Sequence, residues 1–155
     1  MITIYTDGAS QGNPGPGGYG VVILYKHYRK ELTAGFQWTT NNRMELWAVI
    51  AGLDALKKPK QEVIIYSDSK YVIEAVEKGW LHNWRRKGFK GKKNVDLWQK
   101  FWETYNQHDV KFCWIKGHHG NIENEYCDRL AVQSAKNRAI HIDHGYLGHP
   151  SKCVS

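Results

Sequence analysis

Four acidic residues could do chemistry together: Asp7, Glu45, Asp68 and Asp128. Glu45 lies in the first turn of a predicted helix, and Asp128 lies one residue beside the apolar stripe of the last predicted helix. Asp7 and Asp68 each follow a predicted strand. If those strands are neighbours in one sheet, their carboxyl ends form the crevice in which such sheets bind ligands. Carboxylates gathered there repel one another, which raises some of their pKa values unless divalent cations neutralise them. Ligands that are all oxygen select Mg²⁺ or Mn²⁺ rather than zinc.

Three of these acids also fit purely structural roles when they are taken singly. Asp7 could form an Asx turn, Asp68 could cap the next helix, and Glu45 would complement the dipole of its own helix. A zinc site would have three candidate ligands, His118, His119 and Cys127. They lack the short paired spacing that is typical of zinc ligands, so the acids taken together favour Mg²⁺ or Mn²⁺.

The sequence GPGGYG, residues 15–20, matches the G-x-G-x-x-G fingerprint of dinucleotide-binding sites. That fingerprint needs a helix directly after the glycines, so that the helix N-terminus faces a pyrophosphate. The residues that follow, VVILY at 21–25, are β-branched and aromatic and predict a strand instead. We therefore interpret residues 15–20 as a tight, irregular turn between antiparallel strands.

Positive charge is concentrated in one part of the chain. The net charge is +7, and residues 78–102 hold eight Lys or Arg residues against one acid, Asp96, so the remainder is neutral. Aromatic residues are interleaved with them, among them Trp80, Trp84, Phe89 and Trp98. This composition suits a phosphate backbone with exposed sugars or bases and indicates nucleic-acid binding. The alternative is a solvated basic helix whose aromatic side chains face the core.

The length and composition limit the class of protein. At 155 residues the chain fits one domain with a substantial core. No segment approaches the roughly 18 apolar residues of a membrane span, and no signal-peptide layout is present, so we expect a soluble, cytoplasmic protein without membrane contact. Cys113, Cys127 and Cys153 are odd in number and widely spaced, which argues against a disulfide framework.

Hydrophobic periodicity predicts a mixed α/β protein. Strands are predicted at residues 2–6, 19–26, 30–38, 63–66 and 110–115. The first helix is predicted to begin at an N-cap, Asn41 or Asn42, and to end at Pro59. Further helices are predicted at residues 69–77, 95–105 and 123–136. The order predicts a five-stranded mixed sheet, in which three antiparallel strands are followed by two parallel additions, flanked by helices.

Six segments, in this order, closely resemble bacterial type 1 ribonuclease H, which cleaves the RNA strand of an RNA–DNA hybrid. They are YTDGASQGNPGPGGYG, TTNNRMEL, YSDSKYV, HNWRRKGFK, KNVDLW and KGHHGNIENEYCDRLA. The resemblance runs from about residue 2 to 137. It implies the ribonuclease H-like fold with a catalytic domain at 1–137, and it leaves 138–155 as a C-terminal tail that we expect to be loosely ordered.

The resemblance also implies roles for the acids. Asp7, Glu45, Asp68 and Asp128 match the family's metal-binding carboxylates, which hold two Mg²⁺ ions around the scissile phosphate; Mn²⁺ is the expected substitute. One ion would activate the attacking water and the other would stabilise the leaving 3′-oxygen, giving 5′-phosphate and 3′-hydroxyl ends. His118 matches a mobile-loop histidine that assists proton movement or product departure.

Substrate contacts follow from the same resemblance. Asn13, Asn41 and Asn42 match residues that touch the RNA strand and the minor groove. Thr40 and Asn94 match a pocket for a DNA phosphate, and Trp80 matches an aromatic that packs on a deoxyribose. Trp38 stands where the family usually has an arginine in that pocket, so the grip on DNA is weaker or a neighbouring lysine supplies it.

The sequence therefore predicts a monomeric endoribonuclease acting on RNA–DNA hybrids, without a required protein partner. Two alternatives stand beside it: a catalytically silent module that binds hybrids, and another nuclease or recombinase built on the same fold. The full set of four acids speaks against the first alternative, and the asparagines with the basic segment speak against the second.

Overall fold

The computed structural model describes residues 1–116 and 120–146. The strands are β1 (Ile2–Ser10), β2 (Gly15–Tyr25), β3 (Tyr28–Thr39), β4 (Glu62–Ser67), β5 (Asp109–Trp114) and β6 (Ala139–His141). The helices are α1 (Asn41–Asp54), α2 (Lys70–Glu77), α3 (Trp80–Arg86), α4 (Val95–Tyr105) and α5 (Ile122–Asn137). None of the helices within these ranges combines the length and the apolar character needed to cross a membrane.

The strands form one mixed sheet in the order β5-β4-β1-β2-β3-β6. β1, β2 and β3 are antiparallel neighbours, whereas β4 pairs in parallel with both β1 and β5. This confirms the predicted α/β architecture, with one correction: the sheet has six strands, not five. The sixth, β6, pairs in parallel with β3. Its three residues are too few to show a periodic pattern, so no sequence signal marked it.

Helices cover both faces of the sheet. On one face α1 packs across β1 and β2, and its apolar side chains join Ile4 and Ile65 of the central strands in the core. On the other face α5 packs across β1, β2 and β3. Because β1 and β4 lie in the middle of the sheet, their carboxyl ends open between these two layers, where ligands of such folds bind.

The prediction that residues 15–20 form a turn is wrong, because these residues begin β2. Two of the glycines, Gly18 and Gly20, allow a close approach of α5. A Cβ atom at Gly18 would lie 2.6 Å from the carbonyl oxygen of Ala131, and one at Gly20 would lie 2.5 Å from that of Cys127. A glycine-rich segment can thus be a strand when a helix backbone crosses it closely.

Two further predictions need correction at helix starts. Thr40, rather than Asn41 or Asn42, caps α1: its hydroxyl accepts a hydrogen bond from the Arg43 N–H at 3.3 Å. Inside the basic segment, the short helix α3 has no counterpart among the predicted helices, because its charged and aromatic residues give no clear apolar stripe.

The segment after α5 packs on the body of the protein as far as the structure describes it. Ala139–His141 form β6 on the edge of β3, and Asp143 is buried. Residues 147–155 lie outside the described residues. The division of the chain into a catalytic domain at 1–137 and a tail at 138–155 stays a prediction.

Candidate active site

Three of the four predicted acids meet where β4 ends and β1 continues beyond its pairing with β4; Asp7 thus lies within β1 rather than after it. Asp7, Glu45 and Asp68 each contribute an oxygen, and these oxygens all lie within 4.8 Å of one another. We call these three residues the carboxylate site. The parallel register pairs Tyr5 with Tyr66, so Asp7 and Asp68 each follow that pair by two residues. The strand pairing therefore places both acids at the same edge of the sheet.

Glu45 reaches the site because α1 passes very close to β1. A Cβ atom at Gly8 would lie 2.4 Å from the backbone nitrogen of Glu45, so only glycine permits this approach. The Gly8 N–H also donates a hydrogen bond to Asp7 Oδ1 at 2.9 Å. The glycine after Asp7 thus positions both Asp7 and the helix that carries Glu45. Asp68 is not the cap of α2, because Ser69 has that role.

Burial and mutual repulsion shape the chemistry of the carboxylate site. Asp7 is only 4% exposed and Glu45 only 6%. Burial, together with the charge of Asp68, raises the pKa of Asp7 to about 8. Burial and the charge of Asp7 also raise the pKa of Glu45 well above its usual range. Both shifts favour the protonated form of these two neighbouring carboxyl groups when no cation is bound.

The donor atoms of the carboxylate site suit a divalent cation. The second oxygen of Glu45, Oε2, is buried and has no hydrogen-bond partner. An unpartnered buried carboxylate oxygen is costly unless something binds it. The site holds three carboxylates within a few ångströms of one another. Their oxygens are the hard ligands that Mg²⁺ and Mn²⁺ prefer.

Two predicted catalytic residues, Asp128 and His118, are not part of the carboxylate site as the structure describes it. Asp128, half-buried on α5, is not among the three acids within 4.8 Å, but its charge helps to raise the pKa of Asp7. It therefore lies near enough to act on the carboxylate site. His118 lies outside the described residues.

A cleft of about 760 Å³ gathers most of the predicted substrate contacts. Its lining includes Asn13, Thr40, Asn42, Lys92, Lys93 and Asn94, together with Gly145 and Tyr146. We call it the polar cleft. Asn41 does not line it, but the Asn41 N–H donates to Asn13 Oδ1 at 3.0 Å and so ties the β1–β2 loop to the start of α1.

Trp80 lies apart from the polar cleft, at the start of α3, and is 42% exposed. The Lys78 Nζ lies 5.2 Å from the centre of its ring. Within the same basic segment Trp98 is only 1% exposed and belongs to the core. The alternative interpretation is confirmed for Trp98, which is part of the core. Trp80 presents a face next to a cation, and its role in nucleic-acid binding stays a prediction.

One cluster has no signal in the sequence. The Arg43 side chain is buried between two acids, and its guanidinium contacts Asp96 and Asp143 at 2.7 Å each. We call these three residues the Arg43 cluster. Asp143 lies a hundred residues beyond Arg43, in the segment predicted to be a loose tail, and no spacing or motif connects the two.

Comparison with known proteins gives a consistent result. The family model described as RNase H matches residues 1–136. A curated protein named Ribonuclease H from Desulforamulus reducens is 56% identical over 147 residues, which cover 92% of each chain. The structure of LC9-RNase H1, a type 1 RNase H, superposes with a TM-score of 0.80 at 32% identity, covering 88% of this chain and 72% of that one. LC11-RNase H1, solved in complex with an RNA/DNA hybrid, has a TM-score of 0.64 at 27% identity, with coverage of 88% and 97%.

Proposed function

The chain belongs to the ribonuclease H family, and we propose that it hydrolyses the RNA strand of RNA–DNA hybrids with two Mg²⁺ ions held at the carboxylate site. The observation that carries the proposal is the convergence of Asp7, Glu45 and Asp68 within 4.8 Å. No cationic side chain among the described residues offsets Glu45, whose buried Oε2 lacks a partner. An external divalent cation is the simplest way to neutralise the site.

The side chains of this site would bind the ions and orient them. Asp7, Glu45 and Asp68 would supply the shared ligands, and Asp128 would complete the set from α5. When bound, the ions would activate the attacking water and stabilise the leaving 3′-oxygen, which leaves 5′-phosphate and 3′-hydroxyl ends. We expect Mn²⁺ to substitute, since it takes the same ligands. His118 would assist proton movement or product departure.

The polar cleft would bind the hybrid beside the carboxylate site. Asn13 and Asn42 carry amides that both donate and accept hydrogen bonds, which suits the 2′-hydroxyls of the RNA strand. Asn41 would hold Asn13 in place through its backbone. Such contacts read backbone and sugar rather than base edges, so we expect little base preference.

The DNA strand would be bound by other residues of the cleft. Thr40 and Asn94 line it with Lys92 and Lys93, and these lysines would supply positive charge in place of the arginine that Trp38 replaces. The exposed face of Trp80 would pack against a deoxyribose. Recognition of both strands would make the hybrid, rather than either homoduplex, the substrate. We further propose that the protein acts as a monomer.

A cleavage assay tests this function. Labelled RNA–DNA hybrid, duplex RNA, duplex DNA and both single strands would be incubated with the protein in Mg²⁺. We expect cleavage of the RNA strand in the hybrid only, with fragments that a polymerase can extend from their 3′-hydroxyl ends. Addition of a chelator should stop the reaction. Equal cleavage of all substrates, or none of the hybrid, would refute the proposal.

A further inference from the structure

The segment that follows β6 carries a buried acid, Asp143, that joins it to the body of the protein. The Asp143 and Arg43 side chains are each only 1% exposed. Asp143 Oδ2 accepts hydrogen bonds from Thr39 Oγ1 and from Arg43 Nε, both at 2.7 Å, and Asp143 Oδ1 accepts from Arg43 Nη2 at 2.9 Å. Asp143 therefore satisfies one side of the guanidinium and joins the C-terminal segment to the end of β3 and the start of α1.

Arg43 connects Asp143 to residues of the polar cleft. Its Nη1 donates to Asn94 Oδ1 at 3.3 Å and to Asp96 Oδ1 at 2.9 Å. The amide of Asn94 is held from its other side as well, because Nδ2 donates to the Tyr71 hydroxyl at 3.0 Å. Asn94 itself has a left-handed backbone (φ 60°), so its position at the start of α4 relies on these side-chain bonds.

The same segment forms part of the wall of the polar cleft. Gly145 and Tyr146 line it together with Thr40 and Asn94. The backbone of Gly145 lies directly on the ion pair between Arg43 and Asp96: a Cβ atom there would lie 1.9 Å from Asp96 Oδ2 and 2.8 Å from Arg43 Nη2. A Cβ atom at this distance would push the segment and the Asp96 carboxylate apart, so the wall and the ion pair are in mutual contact.

Arg43 is not the charge that the cleft presents to a ligand. Its guanidinium is shared between the carboxylates of Asp96 and Asp143. The lysines that line the cleft, Lys92 and Lys93, make no ion pair among the described residues. The Arg43 cluster would therefore affect a ligand by positioning the residues of the cleft, whereas Lys92 and Lys93 would attract the ligand by their charge.

We propose that Asp143 is a positioning residue for the substrate, which fixes Asn94 through Arg43 and holds the segment 143–146 as a wall of the polar cleft. Residues 143–146 of the C-terminal segment would then contribute directly to the substrate-binding surface. This inference rests on the proposed function, because it takes the backbone of the hybrid as the ligand of the cleft. It assigns no chemical step to Asp143, so its loss should weaken substrate binding and leave turnover intact.

Steady-state kinetics of two variants on labelled hybrid test the inference. Asp143→Asn keeps the shape of the side chain and removes the charge that holds Arg43. Gly145→Ala keeps every charge and breaks the contact between the wall and the ion pair, because its methyl group would push the segment and the Asp96 carboxylate apart. For both we expect KM to rise by roughly five- to tenfold, with kcat within about twofold of the wild type, as for the weakening of one charge-assisted hydrogen bond.

A stability-matched control separates positioning from general destabilisation. Val63→Ala creates a cavity at the start of β4, the end of that strand opposite Asp68 and away from the polar cleft. It should lower the thermal midpoint without changing KM. All variants would be assayed at a temperature at which each is folded. If Asp143→Asn does not fold, Gly145→Ala decides the question by the same criterion.

The outcomes are distinguishable. A raised KM with unchanged kcat in the two cleft variants, and neither change in Val63→Ala, supports the positioning role. An unchanged KM in a folded cleft variant would show that Asp143 is a structural anchor only and would overturn the inference, while the proposed function stands. Failure of the wild type to cleave the hybrid would overturn the proposed function itself.

Discussion

Two groups of acids lie beside the first turn of α1, each with at least one buried member, and their charges are balanced in different ways. In the Arg43 cluster, two acids face a guanidinium supplied by the chain. In the carboxylate site, three acids face one another. Arg43 and Glu45, the residues that α1 contributes to the two groups, are only two positions apart.

The contrast shows in the pKa values of the acids. Burial raises the pKa of Asp96, but the hydrogen bonds and charge of Arg43 outweigh that effect and bring the pKa below its usual value. Burial and the charge of Asp68 instead raise the pKa of Asp7 to about 8. Acids that face a cation of the protein are held as anions, whereas the buried acids Asp7 and Glu45 repel each other and suit a cation from solution.

The largest effect should come from removing a ligand at the carboxylate site. Asp68→Asn should lower kcat on the hybrid by about a thousandfold or more, since cation ligation supplies several kcal/mol of transition-state stabilisation. The unfolding midpoint should stay the same or rise, because one of three repelling charges is gone. Asp54→Asn, an exposed acid at the end of α1, is the matched control and should keep full activity. Near wild-type turnover in Asp68→Asn would contradict the assignment.

The Arg43 cluster should show the opposite pattern, with stability affected first. Arg43→Ala leaves Asp143 buried without its cation and should lower the free energy of unfolding by about 3–5 kcal/mol, measured by urea denaturation. Arg29→Ala, which breaks half-exposed ion pairs with Glu31 and Glu123, is the control and should lower it by about 1 kcal/mol or less. Equal losses in the two variants would mean that burial of the Arg43 cluster has no energetic consequence.

The pH dependence of stability should sharpen the comparison further. When a chelator removes divalent cations, the pKa of Asp7 is about 8 in the folded protein and about 3.9 in the unfolded chain. The folded state therefore binds more protons between these limits, so stability is complete below about pH 4 and falls as pH rises through 8, by at most about 1.4 kcal/mol per pH unit for one proton. Urea titrations from pH 5 to 9 measure this slope, which Asp7→Asn should flatten. Rising stability over that interval would contradict the shift.

The carboxylate site is largely predictable from sequence, and the reason is local. Asp7 and Asp68 each end an apolar run that forms a central strand, and parallel pairing of those strands brings them together. Glu45 needs one more fact, the close approach of α1 at Gly8, which no periodicity reveals. The assignment of Asp128, His118 and the substrate contacts stays a prediction that the resemblance implies.

The features that escape prediction depend on contacts between distant parts of the chain. Residues 15–20 have the composition of a turn, but they pair with β1 and β3 as a strand, and α5 crosses them closely at Gly18 and Gly20. Asp143 falls in a segment predicted to be a loose tail because nothing in its neighbourhood signals order, while its partner Arg43 lies a hundred residues earlier. A buried ion pair of this kind cannot be recognised from sequence, because no pattern near either residue indicates its distant partner.

The most direct test of the central claim is the response of the thermal midpoint to Mg²⁺ at pH 8 in three proteins: the wild type, Asp7→Asn and Asp143→Asn. Cation binding stabilises only a protein that retains the site, by about 2.7 kcal/mol at a hundred times the dissociation constant. We predict that Mg²⁺ raises the midpoint of the wild type and of Asp143→Asn, and leaves that of Asp7→Asn unchanged. An equal rise in Asp7→Asn, or no rise in the wild type, would contradict the account.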